Sequence, residues 1–215
     1  MIGHHKTIIG ALAFLLTASV FTGCVSEGQK EYEEGVDLYE AEQYESAVQQ
    51  FVMAADLGHA RAQYELGACY FFGKGVEKDE KEAVKWYRKA AEQGIAEAQT
   101  NLGFCFLNGV GVEQNAEKAV KWYRKAAAQG LAEAQTNLGF CFLNGVGVEQ
   151  NAEEAVKWYR KAAEQGLAGA QFFLGTCYND GKGVEQDYAE AVKWYRKAAE
   201  QGLEPAKEAL KNLAN

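Results

Sequence analysis

Proline occurs once in this chain of 215 residues, at Pro205, against 23 glycines. Because proline breaks helix interiors and glycine marks turns, that balance points to long helices separated by glycine turns, an all-α composition. Histidine is almost as scarce. His4 and His5 lie at the extreme N-terminus, and His59 follows Gly58 at the start of a helix, where a polar terminus residue is expected. Serine occurs only at Ser19, Ser26 and Ser46, none in an S-x-x-K or G-x-S-x-G setting, so serine acyl transfer has no nucleophile with a base. The cysteines never form a C-x-x-C pair of the kind that zinc sites use. Cationic excess is missing too: 22 Lys and Arg face 30 Asp and Glu, and a formal charge of −8 makes nucleic acid and anionic headgroups poor partners. No apolar run reaches the roughly 20 residues of a transmembrane helix. The longest, Ile8 to Phe21, is interrupted by Gly10, Thr17 and Ser19. What remains is 48% apolar with well-mixed charges, a globular composition without a disordered or low-complexity segment.

The N-terminus stands apart. Met1 to Lys6 is short and basic, Ile8 to Phe21 is apolar, and Phe21-Thr22-Gly23 leads into Cys24, the layout of a secretory signal. Thr22-Gly23-Cys24 resembles the bacterial lipobox, in which the cysteine takes a diacylglycerol thioether and becomes the new N-terminus. Phe21 departs from the Leu usual three residues before that cysteine. The resemblance implies a signal peptide over 1–23, a short tether over 24–28 and a lipid on Cys24. The alternatives are ordinary cleavage, giving a secreted protein, and an uncleaved anchor. Val25 stands where Asp would favour the inner membrane of a Gram-negative cell. The expected location is therefore the periplasmic side of the outer membrane or the cell surface. Loss of 1–23 removes Lys6 and no acid, so the charge moves from −8 to −9.

The rest of the chain repeats every 36 residues. Trp86, Trp122, Trp158 and Trp194 fall at that interval, as do Cys69, Cys105, Cys141 and Cys177, and the glycines Gly58, Gly94, Gly130, Gly166 and Gly202. Ala96 to Leu131 and Ala132 to Leu167 differ only at Lys118/Glu154 and Ala128/Glu164. Within one repeat, Ala96 to Asn108 reads as a first helix, Gly109-Val110-Gly111-Val112 as a turn, and about Ala116 to Gln129 as a second helix ended by a left-handed Gly130. At 100° per residue, Ala98, Leu102, Cys105 and Phe106 share one stripe of the first helix. Ala119, Val120, Trp122, Tyr123, Ala126 and Ala127 share one of the second, with Lys121, Arg124 and Lys125 opposite. Two amphipathic helices bury their apolar faces only against each other and their neighbours, so the repeats must stack.

The spacing A-x-A-Q-x-x-L-G-x-x-[YF]-x-x-G-x-G-V-E followed by A-V-K-W-Y-R-K-A-A-x-Q-G resembles the Sel-1-like repeat family, a relative of tetratricopeptide repeats. The resemblance covers about Ala60 to Gln201. It implies a right-handed superhelical solenoid of antiparallel helix pairs. Repeats are placed at 59–94, 95–130, 131–166 and 167–202. Gly35, Ala47, Phe51 and Ala54 keep tetratricopeptide spacing without the extra loop residues, so 29–58 reads as an N-terminal capping hairpin. Residues 203–215 read as a C-terminal capping helix with Pro205 in its first turn.

Tempting chemistry gives way to packing. The repeat cysteines are one repeat apart, roughly 10 Å of helix stacking, whereas a disulfide needs Cα atoms within about 7 Å. They read as small buried hydrophobes. Cysteine-rich relatives of the family carry two cysteines per repeat, so their disulfide staple does not transfer. Gly109-Val110-Gly111 lacks the third glycine, the lysine and the strand of a phosphate loop. No pair of carboxylates is placed to hold its pKa values apart. No metal, cofactor or catalytic residue is expected.

A second stripe of each first helix faces neither core nor partner helix. The resemblance implies that it lines the concave surface and takes a peptide or partner protein. Its candidate residues are Arg61, Tyr64 and Phe71, with Phe72 on the same stripe; Glu97, Thr100, Phe104, Leu107 and Asn108; Glu133, Thr136, Phe140, Leu143 and Asn144; and Phe172 and Asn179. The expectation is a monomeric, non-catalytic interaction scaffold that meets a membrane only through its N-terminal lipid. A secreted enzyme or host-directed effector is the alternative. Groove aromatics should dominate affinity, and Lys121, Arg124 and Lys125 should matter little. The competing reading of Phe104, Phe140 and Phe172 is that they pack on one another between layers.

Overall fold

The computed structural model describes residues 28–214, so the signal segment and Cys24 lie outside the described residues. Eleven helices and no strand are present among them. The chain divides into two compact units, Met1–Gln93 and Gly94–Asn215. The first holds α1 (28–40), α2 (Tyr44–Asp56), α3 (Ala60–Phe72) and α4 (Glu80–Glu92). The second holds α5 (Ala96–Asn108), α6 (Ala116–Ala128), α7 (Ala132–Asn144), α8 (Ala152–Glu164), α9 (Ala168–Asp180), α10 (Tyr188–Glu200) and α11 (Glu204–Ala214). In both, helices pair antiparallel with their neighbours in sequence, and the fold class is an all-α repeat solenoid. The helix α1 already includes Gly28, one residue earlier than the tether expected over 24–28 allows.

Each repeat is punctuated by local chemistry. Gly109 closes α5 in the left-handed conformation (φ 70°), its N–H donating to the Cys105 carbonyl. A β-carbon is costly there, which is why the position is glycine. The Gln114 amide donates to the Leu107 carbonyl at 2.7 Å, satisfying one of the last acceptors of α5. Asn115 then starts α6, its side chain accepting from the Lys118 N–H at 2.8 Å. The same devices recur with Gln150 and Asn151, and with Gln186 and Asp187.

The loop glycines do a second job. A β-carbon on Gly147 would lie 2.3 Å from the Ala116 carbonyl, so the loop after α7 rests directly on the start of α6. Only a residue without a side chain permits that approach.

Between the helices the cores are small and rich in alanine. In the first unit Ala47, Phe51, Ala54, Ala62, Leu66 and Cys69 pack together with Trp86. In the second, Ala155, Tyr159, Ala162, Ala170, Leu174 and Cys177 do the same, and Ala209, Leu210 and Leu213 of α11 cover the end of that cluster. Each buried Leu is worth about 1.5–3 kcal/mol, and the alanines let helices approach closely enough to exclude water. Trp122 departs from its expected place in the core: it is half-buried, with the Lys125 ammonium 4.2 Å above its ring.

Candidate functional site

The stripe of first-helix residues proposed from sequence separates in three dimensions into an inward and an outward part. Tyr64, Thr100, Thr136 and Phe172 occupy equivalent positions and lean inward. Thr100 is only 8% exposed, and its hydroxyl donates to the Ala96 carbonyl at 2.9 Å, which removes it from any binding face. Thr136 makes the same bond to the Ala132 carbonyl. The Phe172 ring lies against the core cluster of its unit, 5.6 Å from Tyr195 and 5.7 Å from Phe173. Tyr64 is half-buried, 6.0 Å from the Tyr87 ring with the Arg61 guanidinium 5.8 Å above it. Leu143 also packs against the core. Phe71 lies 6.2 Å from Tyr87 and 5.0 Å from Phe72. These residues were expected to face neither core nor partner helix. For Tyr64, Phe71 and Phe172 the partner is the tyrosine of the second helix, Tyr87 or Tyr195.

The outward part is left to Phe104 and Phe140, 44% and 43% exposed, at the same position of α5 and α7. In the following repeat Thr176 replaces them and accepts from the Tyr195 hydroxyl at 3.2 Å. One turn further on, Asn108 and Asn144 are exposed, each amide donating to the carbonyl of its own phenylalanine at 3.0 and 2.9 Å. Asn179 donates instead to Asp180 at 2.9 Å, and Leu107 is half-buried. At the start of the helices, Glu97 and Glu133 line an open cleft of about 600 Å³ together with Gln129, Gln165 and Gln201. The C-terminal unit thus brings Glu97, Glu133, Phe104, Phe140, Asn108 and Asn144 onto one face. In the N-terminal unit the exposed aromatics are Phe72, 67% exposed and on the same stripe, and Tyr39, 38% exposed. The equivalents of Phe72 are Asn108, Asn144 and Asp180, so it lies on the same stripe as the expected asparagines.

A second group missed from sequence is a ladder of glutamines. Gln63, Gln99, Gln135 and Gln171 are all buried. The Gln135 amide donates to the Ala127 carbonyl at 3.3 Å, and its oxygen accepts from Gln165 at 2.9 Å. Gln171 likewise joins Ala163 and Gln201, and Gln63 joins Ala55 and Gln93. Each rung ties the end of a second helix to the first helix that follows, adding a side-chain donor to a carbonyl that already accepts from the turn glycine N–H. Its signal was the Q of A-x-A-Q, a polar residue recurring beside core alanines.

The four repeat cysteines are buried, and none is in a disulfide. Burial pushes the Cys69 thiol up to about 12, with Glu65 adding to it, and the Cys141 and Cys177 thiols up to about 11. Such thiols carry almost no thiolate at neutral pH and are poor nucleophiles. His59 is a helix-terminus residue: Nδ1 accepts from the Ala62 N–H at 3.1 Å, so the ring proton sits on Nε2 and donates to Gln29 at 3.0 Å. The ring stacks on Tyr32 at 4.5 Å. Burial holds its pKa below the usual histidine range, with Glu33 pulling the other way.

Among curated proteins no relative matches the chain. Solved structures do. A protective antigen of uropathogenic Escherichia coli shares 37% identity at a TM-score of 0.82, over 87% of this chain and 41% of that one. This chain therefore spans well under half of that protein's length. A Sel1 repeat protein from Oxalobacter formigenes shares 41% identity at a TM-score of 0.77, over 84% of this chain and 74% of that one. An immunity protein from Pseudomonas aeruginosa shares 26% identity at a TM-score of 0.54, over 83% of this chain and 67% of that one. The Sel1 repeat family matches residues 60–95, 96–131, 132–167 and 168–203, each starting one residue later than the boundaries read from the glycines. With four repeats matched in register and each folded as the same capped helix pair, the chain belongs to the Sel1 repeat family.

Proposed function

We propose that this protein is a non-catalytic interaction scaffold of the bacterial cell envelope, held at a membrane by a lipid on Cys24 and binding a peptide or partner helix on its first-helix face. Sel1 repeat proteins commonly act as protein-interaction scaffolds. The observation that carries the reading is the pair Phe104 and Phe140, two large apolar rings left 44% and 43% exposed at equivalent positions of adjacent repeats, whereas Phe142, Phe172 and Phe173 of the same unit pack against its core. Exposed aromatics in register are a mark of interaction surfaces. The contact between α7 and α9 supports the same face, since first helices that approach each other lie on the inner side of a bend. The likeness to a protective antigen supports an exported location.

The test is capture of partners from native envelope by the mature protein. Phe104→Ala and Phe140→Ala should each weaken capture by about 2 kcal/mol, the scale of an aromatic anchor. Lys157→Ala and Lys193→Ala, which remove surface ammonium groups paired with Glu154 and Glu190, should leave it unchanged. All variants must first match the wild-type helical signal and melting temperature. Equal losses in both sets would place the partner elsewhere. For the anchor, mass spectrometry of the mature N-terminus should find a diacylglycerol on Cys24, and an unmodified Cys24 overturns that part.

A further inference from the structure

The two near-identical repeats offer an internal comparison that isolates surface charge. Ala96 to Leu131 and Ala132 to Leu167 differ at two positions, and both differences fall on the outward face of the second helix. Where the other repeats carry Glu82, Glu154 and Glu190, this one carries Lys118; where they carry Glu92, Glu164 and Glu200, it carries Ala128. Both changes remove an acid. The helix α6 therefore sets Lys118, Lys121, Arg124 and Lys125 against Glu117 alone, a net of three positive charges, whereas α8 sets Lys157, Arg160 and Lys161 against Glu153, Glu154 and Glu164 and is neutral.

The structure shows the consequence. In α4, α8 and α10 the first lysine of the K-W-Y-R-K run is held by the glutamate three residues before it: Lys85 by Glu82, Lys157 by Glu154, Lys193 by Glu190. Lys121 has Lys118 at that place. Among the described residues no carboxylate pairs with any of the four cations of α6. Instead Lys118 lies 5.4 Å from the Phe106 ring, Arg124 5.3 Å from Phe142, and Lys125 4.2 Å from Trp122. All four are exposed, and the charged heads of Lys118, Arg124 and Lys125 each lie beside an aromatic ring. Lys118, Lys121, Lys125 and Ala128 follow one another at i, i+3, i+7 and i+10, a single stripe of the helix.

We propose that this outward face of α6 is a second docking surface, separate from the first-helix face, for a protein partner presenting a short acidic segment. The charge is local: with a total of −8, the chain outside α6 carries −11. An anionic bilayer or a nucleic-acid duplex, whose charge is extended, would meet the acids of the neighbouring helices as well as these cations. A short segment would not. Lys118 to Lys125 spans about 10 Å of helix at 1.5 Å per residue, the reach of about three or four extended residues, so a run of three or four carboxylates covers the patch.

The probe is a fluorescein-labelled peptide of four glutamates flanked by glycines, followed by anisotropy with the mature protein at low salt. Wild type should bind it, with affinity falling as salt rises. Lys118→Glu with Ala128→Glu, which gives α6 the pattern α8 already folds with, should weaken binding about tenfold, as expected from losing three exposed charges at low salt. The reverse pair, Glu154→Lys with Glu164→Ala, should create a second site on α8 and double the stoichiometry. Unchanged affinity in the first variant, or no gain in the second, overturns the proposal. Tighter binding of a DNA duplex or of phosphatidylserine vesicles than of the peptide overturns the assignment to an acidic protein segment. Phe104→Ala should leave peptide binding intact, so failure of this surface and failure of the first-helix face are separable.

Discussion

Replacing Gly139 by alanine sets two known effects against each other inside one helix. Glycine in a helix interior costs about 1 kcal/mol relative to alanine, so propensity alone makes Gly139→Ala stabilising by that amount. Packing opposes it. A β-carbon on Gly139 would lie 2.8 Å from both Cδ1 and Cε1 of Tyr159 and 3.2 Å from Cγ. That ring is fully buried and stacked 5.3 Å from Phe173, so it cannot swing aside without pushing into the next repeat. Overpacking of this kind costs about 1–3 kcal/mol, and because the whole ring must shift the upper part of that range applies. The net should be a loss of about 1–2 kcal/mol. Gly169→Ala is the control: the glycine lies in α9, where an added β-carbon meets nothing within 4 Å, so only the propensity gain remains. Urea unfolding followed by circular dichroism, with slopes compared, should move the midpoint down for Gly139→Ala and up for Gly169→Ala. If Gly139→Ala is as stable as wild type or more so, the tyrosine contact is not what keeps glycine in the first helix.

Gln135→Ala should cost about 0.5–1.5 kcal/mol, the net worth of the buried hydrogen bond its amide gives to the Ala127 carbonyl, which keeps the Gly130 N–H as a donor, while Gln165→Ala, on the exposed side of the same rung, should cost less than about 0.5 kcal/mol in the same unfolding assay. Thiol labelling of the native mature domain should be slow at Cys69, Cys105, Cys141 and Cys177 and fast after unfolding, as expected of buried thiols; a mass two units low for an intramolecular pair would refute it. His59 has a folded pKa below its unfolded value, so its contribution is present above the unfolded pKa of about 6.5 and lost as pH falls through the lowered folded value. Protonation places a hydrogen on Nδ1 facing the Ala62 N–H, so hydrogen exchange in α1 and α3, corrected for intrinsic rate, should speed up at pH 5.5 relative to 7.5. His59→Asn keeps a capping oxygen and should abolish the change.

The helix pairs, their ends and their core stripes were legible in the sequence because each depends on near neighbours in the chain. Gly109 and Asn115 announce where α5 stops and α6 starts, and the 36-residue period forces Ala98, Leu102, Cys105 and Phe106 to one side. The direction of a side chain follows from its helical angle. What it meets there does not, since in a stack the neighbour comes from another helix or from the next repeat. Only the tertiary structure therefore decided that Thr100 turns back onto its own helix, that Phe172 and Leu143 join the core while Phe104 and Phe140 do not, and that Arg124 lies over Phe142. The glutamine ladder was hidden for the same reason: a polar residue among alanines looks unfavourable until the adjoining repeat supplies the carbonyl, and the second helix of its own repeat the amide, that satisfy it.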